Sequence, residues 1–555
     1  MNPFFQSNKQ RTVTAAVSAS LFFAVVHGYR LMSPLLSGDG LLMLYQNDAA
    51  WQIALGRFAH PFLVMLRGGI TSPFLVSLLA LFWTAASVCL VGAYLDLKRP
   101  LSVILLAALM VCHPSLIVTS ANFLHEFDFY ALALFLSVGS VCLLAKSMPQ
   151  AAGTEAAAAG SPSAKQRYLY LAGSVLCLAG ACAIYQAYVC MAAGLVMLRL
   201  LFAAARNTEL RALLKETAVT LGVFLVTALL YLICWKLMQS VLGIWTADTY
   251  HGLAGMGDFS EEGILSVLGI TYVNVWNFFT DPQLFVTTTF RGFNISTVWH
   301  YLLVACNVCV VGAGLYALWR INREEKTGSA QRVWQLLILL LFPLGINAVC
   351  FLSKGMEHTL MVYAFVLVYA FAICAWERYV CDDAGEALVP ASAEGTDSAS
   401  EPVGRKTAGK RILLIALPVA LLAWSQIVFA NQLYFKKDLQ ERAAQSMMTR
   451  ILSGVEAQEG YIPGETKVAV TGIFDLNPYL KEIDFMEELL PWQTGKTVFV
   501  YFGTDEMYLR YFEQAKVNLV RIDRMDPRLD EIPCWPEEGS ITWLDDTIVV
   551  KVSEE

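Results

Sequence analysis

The chain has 555 residues, 57% of them hydrophobic and only 15% charged, with a mean hydropathy of +0.54. Soluble globular chains carry about 25% charged residues, so a soluble domain is excluded, and the same arithmetic excludes disorder, collagen and a disulfide scaffold. A polytopic membrane protein remains. The net charge of −7 is uneven: residues 432–555 hold 13 Lys+Arg against 23 Asp+Glu, which marks a boundary near Asn431. No basic stripe offers itself to nucleic acid.

A spanning helix takes roughly 20 mostly apolar residues. Eleven stretches qualify: 12–32, 71–95, 100–118, 129–145, 168–184, 187–205, 217–240, 295–319, 333–353, 358–377 and 411–431. The first runs into Arg30 without a small-x-small site, so it reads as a span and not as a cleaved leader. Lys and Arg sort strongly between the two sides. With the N-terminus inside, the cytoplasmic segments hold 20 of them and the opposite side, before the tail, holds 6. This bias predicts a cytoplasmic N-terminus and an outer tail.

Two cytoplasmic segments, 149–164 and 382–404, are small, polar and unpatterned, and read as disordered linkers. The outer segments carry more pattern. In 33–70, Trp51, Leu55, Phe58, Phe62 and Met65 recur at helical spacing, which predicts a helix along the membrane surface. The longest outer segment, 241–294, holds a second such helix at 263–279.

The tail reads as a small α/β domain. Residues 432–456 favour helix, 467–471 and 497–502 read as strands, and 505–515 as a helix. Residues 541–544 and 547–552 flank Asp545-Asp546 as a hairpin. Of 13 cysteines, 11 fall in apolar segments and no CxxC array occurs, so they read as small hydrophobes.

No soluble catalytic signature is present: no P-loop, G-x-S-x-G, H-E-x-x-H or dinucleotide fingerprint. Polar residues gather instead in the outer segments. Asp39 stands between Gly38 and Gly40 just after the first span, where glycine permits close backbone approach to a ligand. Asp48, Arg57 and Arg67 follow on or beside the surface helix, Glu126 and Asp128 end the second outer loop, and Gln186 marks the third. Arg291 lies in the fourth and Lys354 in the fifth. His113, before Pro114, reads as a kink residue.

The order of these motifs resembles the type II glucosyl transferase family of bacterial and phage membrane proteins. The residues that carry the resemblance are Gly38-Asp39-Gly40, Asp48-x-x-Trp51, Gly56-Arg57-Phe58, Arg67-Gly68-Gly69, Tyr185-Gln186-Ala187-Tyr188 and Ala430-Asn431-Gln432 with Asp438. The ending Ile532-Pro533, Gly539-Ser540-Ile541 and Ile548-Val549-Val550-Lys551 joins them. The family pattern has Trp where Phe58 stands.

The resemblance implies a polytopic α-helical glycosyltransferase of about eleven spans: a transmembrane domain at 1–431 and an extracytoplasmic α/β domain at 432–555. It implies a sugar, glucose, moved from a polyprenyl-phosphate carrier to a cell-surface, O-antigen-like glycan at the outer face of the bacterial cell membrane. The leaving group is then already a phosphate and needs little protonation, so one carboxylate base suffices where a glycosidase uses two. Asp39 would be that base. Asp48, Arg57, Arg67, Glu126, Asp128, Gln186, Arg291 and Lys354 would bind substrate, with Arg57 or Arg67 on the phosphate. The resemblance names no certain cofactor, and the outer carboxylates could bind a divalent cation. The competing reading, a transporter or flippase of lipid-linked sugars, expects repeats and charges in mid-span; the spans show neither.

Overall fold

The computed structural model describes residues 8–33, 37, 40–41, 49–148, 162–245, 256–257, 259–260, 263–280, 289–290, 293–386, 403–472, 474, 508–510, 512–523 and 525–554. Among the described residues, 11 helices are long and apolar enough to cross a membrane. Each overlaps one predicted span.

After α1 (Asn8–Met32) come two short helices, α2 (Ala49–Ala54) and α3 (His60–Leu66), and then α4 (Pro73–Tyr94). The stripe from Trp51 to Met65 predicts one surface helix. The chain instead breaks at Gly56, whose φ of +81° suits glycine alone. The break turns Gln52, Ile53 and Ala54 inward and leaves Phe62, Met65 and Leu66 of α3 exposed, an apolar face suited to lipid.

The third span is two helices, α5 (Pro100–Val111) and α6 (Pro114–Asn122), because Pro114 lacks the donor that would continue the ladder. His113 caps α6, its ring accepting from the Ser115 N–H at 3.3 Å, and is a kink residue as expected. α7 (Leu124–Ser147) begins earlier than hydropathy suggests, so His125, Glu126 and Asp128 lie in its first turns and not in the loop before it. Phe123 (φ −129°, ψ 55°) ends α6 and lets α7 start at once, and an acidic residue suits a helix N-terminus.

A capping box of Ser163 and Gln166 opens α8 (Ala164–Ile184), and the 3₁₀ turn Gln186–Tyr188 leads into α9 (Val189–Ala205). α10 (Leu210–Leu242) stops at Gly243, where φ is +66°. α11 (Ile264–Thr280) is a shorter apolar helix, followed by the ribbon β1 (Thr289–Phe290) and β2 (Phe293–Asn294). α12 (Ile295–Glu324), α13 (Ser329–Ile346) and the short α14 (Ala348–Leu352) precede a 3₁₀ stretch, Thr359–Phe365, and α15 (Val366–Glu386). The last predicted span and the polar helix expected at 432–456 are one continuous 54-residue helix, α16 (Val403–Glu456).

Helices apolar on every side go to the centre. In the most apolar 18-residue stretch of Pro100–Asn122 89% of the residues are buried and in that of Thr359–Val380 83%, against 17% in that of Leu210–Leu242 at the rim.

Beyond the membrane part, β3 (Lys467–Thr471), β4 (Asn518–Leu519), β5 (Ile541–Leu544) and β6 (Thr547–Lys551) form a sheet in the order β4-β3-β6-β5. β3 runs parallel to β4 and β6, while β5 and β6 make the predicted hairpin, turning at Asp545 with φ +56°. Strand alternation puts Ile548 and Val550 in a core with α16, and Val549 on the other face with Leu529 and Ile532. The expected strand at 497–502 lies outside the described residues, as do the interiors of both linkers, whose edges at 382–386 and 403–404 are helical. Of the helix expected at 505–515, residues 508–510 are helical.

Candidate active site

Three stretches distant in sequence meet at one face of the bundle: the α2–α3 segment, the first turns of α7, and the turn between α8 and α9. Arg67, at the end of α3, is held on all sides. Its Nη1 donates to Asp128 Oδ1 at 2.7 Å and to the His125 carbonyl at 3.2 Å, its Nε to the Ile70 carbonyl at 3.0 Å, and its Nη2 to Thr71 Oγ1 at 3.2 Å. The guanidinium also lies 4.5 Å from the centre of the Phe129 ring. Arg67 and Asp128 are thus a buried, internally satisfied ion pair joining α3 to α7.

Glu126 faces the other way from the same helix turn. Its Oε1 lies 3.0 Å from His60 Nε2 and accepts from Gln52 Nε2 at 3.2 Å. Its Oε2, with Gln52 Oε1, His60 Nδ1 and His125 Nδ1, is buried without a hydrogen-bond partner among the described residues. Buried polar atoms are normally satisfied. Here three such atoms gather with the unpartnered oxygen of one carboxylate.

Gln186 secures the α2–α3 turn. Its Nε2 donates to the Leu55 carbonyl at 2.8 Å and to Tyr231 Oη at 2.9 Å, and Tyr231 Oη donates to the Gly56 carbonyl at 3.2 Å. Trp235 Nε1 adds a bond to the Ile53 carbonyl at 2.6 Å. The turn is too crowded for a larger residue: a Cβ on Gly56 would stand 2.2 Å from Tyr231 Oη and 2.7 Å from Gln186 Nε2. Phe58 stacks on Tyr231 at 5.8 Å. Arg57, on the far side of this turn, places its guanidinium 4.9 Å from the centre of the Tyr185 ring, which itself stacks on Tyr130 at 4.3 Å.

Of the residues singled out in the sequence, the structure brings together Arg57, Arg67, Glu126, Asp128 and Gln186. Lys354 belongs to a neighbouring turn, which reaches the cluster through the rings of His358, Phe123 and His125. On that turn Glu357 accepts from Asn347 at 3.0 Å, and desolvation of its carboxyl pushes it up to about 7 against the lowering effect of hydrogen bonds from Asn347 and Asn274. Asp39, Asp48 and Arg291 lie outside the described residues. The chain before Asp39 is anchored: Arg30 donates from Nη1 to the Ser33 carbonyl and from Nε to the Ser120 carbonyl, both at 2.9 Å, and Ser37 Oγ donates to the Asn122 carbonyl.

Sequence reasoning missed Gln52, His60, Tyr231 and Trp235. A signal existed for His60, a titratable residue inside an otherwise apolar run, since such groups in a membrane protein mark functional places. Among the described residues no group of three His, Cys, Asp or Glu side chains could hold a metal ion.

Comparison with solved structures finds a likeness to the oligosaccharyltransferase AglB of Archaeoglobus fulgidus, in complex with an inhibitory peptide and a dolichol-phosphate, at 13% identity and a TM-score of 0.37. The match covers 88% of this chain and 64% of that one, so the chain spans less than two thirds of its length. No curated protein matches. The family model of glucosyl transferase GtrII matches residues 28–372, which takes in every site residue described above. By that match, over more than half of its length, the chain belongs to the GtrII glucosyl transferase family, and its apolar helices are those of a multi-pass membrane protein.

Proposed function

We propose that the protein moves a glucosyl group from a polyprenyl-phosphate carrier to a cell-surface glycan at the outer face of the bacterial cell membrane. The observation that supports this reading is the set of buried charges where α3 meets α7. Ionisable groups at membrane depth are costly and persist for function, and here they adjoin the long loop that carries Asp39. An ionised aspartate takes the proton of the acceptor hydroxyl as it attacks the anomeric carbon. The bond from that carbon to the carrier phosphate breaks, and the phosphate leaves as an anion that Arg57 receives. Arg67, four of whose five N–H donors are engaged within the protein, positions the α3–α7 junction. Glu126 and Gln186 hold the α2–α3 segment beside it.

The test is Asp39→Asn, which keeps the size and removes the base. Transfer from a synthetic polyprenyl-phosphate glucose, followed by mass analysis of the surface glycan, should fall by about two to four orders of magnitude at unchanged protein level. Near-normal transfer would move the base to Asp48 or Asp128. Loss of the protein itself would make Asp39 structural.

A further inference from the structure

We propose that the C-terminal unit positions the catalytic loop, and that Leu41 is the residue through which it does so. This inference rests on the reading of Asp39 as the base. Leu41 belongs in sequence to the first loop, yet it is fully buried, at 0% exposure. The apolar cluster it joins is not that of the membrane helices. It is the core of the C-terminal unit, shared with Met447, Met448 and Ile451 of α16 and with Val468 and Ile548 of the sheet.

The turn leading to Leu41 is tied down at its other end as well. The Leu41 N–H donates to the Ser37 carbonyl at 2.8 Å, the Gly40 N–H to Ser37 Oγ at 3.0 Å, and Ser37 Oγ in turn donates to the Asn122 carbonyl at the end of α6. One anchor is therefore in the membrane part and the other in the C-terminal unit. Asp39 stands two residues from each in sequence, and two residues of chain reach about 7 Å at most. Burial of Leu41 in a core built by residues more than 400 positions later ties the Gly-Asp-Gly-Leu segment to the C-terminal unit. The unit thus acts on turnover through placement of the base, without touching substrate.

Leu41→Ala in the full-length protein should lower kcat about 10- to 100-fold, the scale of a misplacement near 1 Å, with the KM for synthetic polyprenyl-phosphate glucose unchanged. Leu41→Met, which conserves volume, should restore kcat. The control is Ile451→Ala, which opens the same core from α16 and should keep most of kcat. Where Leu41→Ala fails to accumulate, Leu41→Val is read in its place. Equal losses of kcat in Leu41→Ala and Ile451→Ala, together with equal loss of protease resistance in the C-terminal unit, would make Leu41 mere filling and overturn the proposal. So would wild-type kcat in Leu41→Ala. If Asp39→Asn abolishes transfer while Leu41→Ala does not, this inference alone falls; if Asp39→Asn transfers normally, the base reading falls with it.

Discussion

Arg57 and Arg67 carry the same head group in different settings, and the settings assign different tasks. Arg67 spends its fork on Asp128 and on two backbone carbonyls; Arg57 lays its plane against Tyr185. Lysine is a point charge on a flexible stem and reproduces neither arrangement. Arg67→Lys should therefore lower the melting temperature of the detergent-solubilised protein, since disturbing a buried ion pair leaves a charge uncompensated. Removing one partner outright costs about 3–5 kcal/mol. Arg57→Lys should leave stability alone and raise the donor KM. Donor KM, turnover and thermal unfolding measured on both variants decide the matter, and the opposite pattern would exchange the two roles.

At the scale of the element, the α2–α3 turn is where local conformation and tertiary packing act on one residue. Gly56 and Gly69 share a positive φ, of +81° and +76°. A Cβ on Gly69 meets nothing within 4 Å, whereas one on Gly56 runs into Tyr231 and Gln186. Gly69→Ala should cost only the left-handed backbone penalty, about 1–2 kcal/mol. Gly56→Ala adds displacement of both hydrogen-bonding side chains, so it should unfold at a clearly lower temperature and lose turnover as Arg57 shifts. Equal melting temperatures for the two variants would show that Tyr231 and Gln186 yield without cost. α16 makes a related point over a greater length: one helix crosses from the membrane part into the core of the C-terminal unit, so that unit is not a loosely tethered appendage.

For the whole molecule, the 11 candidate spans among the described residues, if all cross, would put the first and last described helices' free ends on opposite sides, and Leu41 packs in the same core as the C-terminal unit. With the basic residues sorted 20 to 6, the expected arrangement has the 382–404 linker inside and the sheet outside. A cysteine introduced into 382–404 should resist a membrane-impermeant thiol reagent in intact cells and react once the membrane is opened. The native chain, whose Cys381 adjoins the linker, supplies the background. Labelling in intact cells would invert the topology and remove the outer-face assignment.

The sequence by itself determined the number and order of the spans, because burial in lipid demands runs of apolar residues long enough to cross, and such runs are local. It determined the hairpin around Asp545-Asp546 in the same way, through strand alternation and a turn. Family membership was legible in the order of short motifs, from Gly38-Asp39-Gly40 to Tyr185-Gln186. What it could not determine were pairings between distant segments. Nothing near Arg67 in the chain names Asp128 as its partner, and nothing near Glu126 names His60 and Gln52. The surface stripe from Trp51 to Met65 fits an unbroken helix until Tyr231 and Gln186 close on Gly56 from other helices. Leu41 reads as one more apolar residue in a loop until α16 and the sheet enclose it. Period and length are properties of a segment. Which charge is spent and which leucine is buried depends on what the rest of the fold brings against it, and only the tertiary structure decided that.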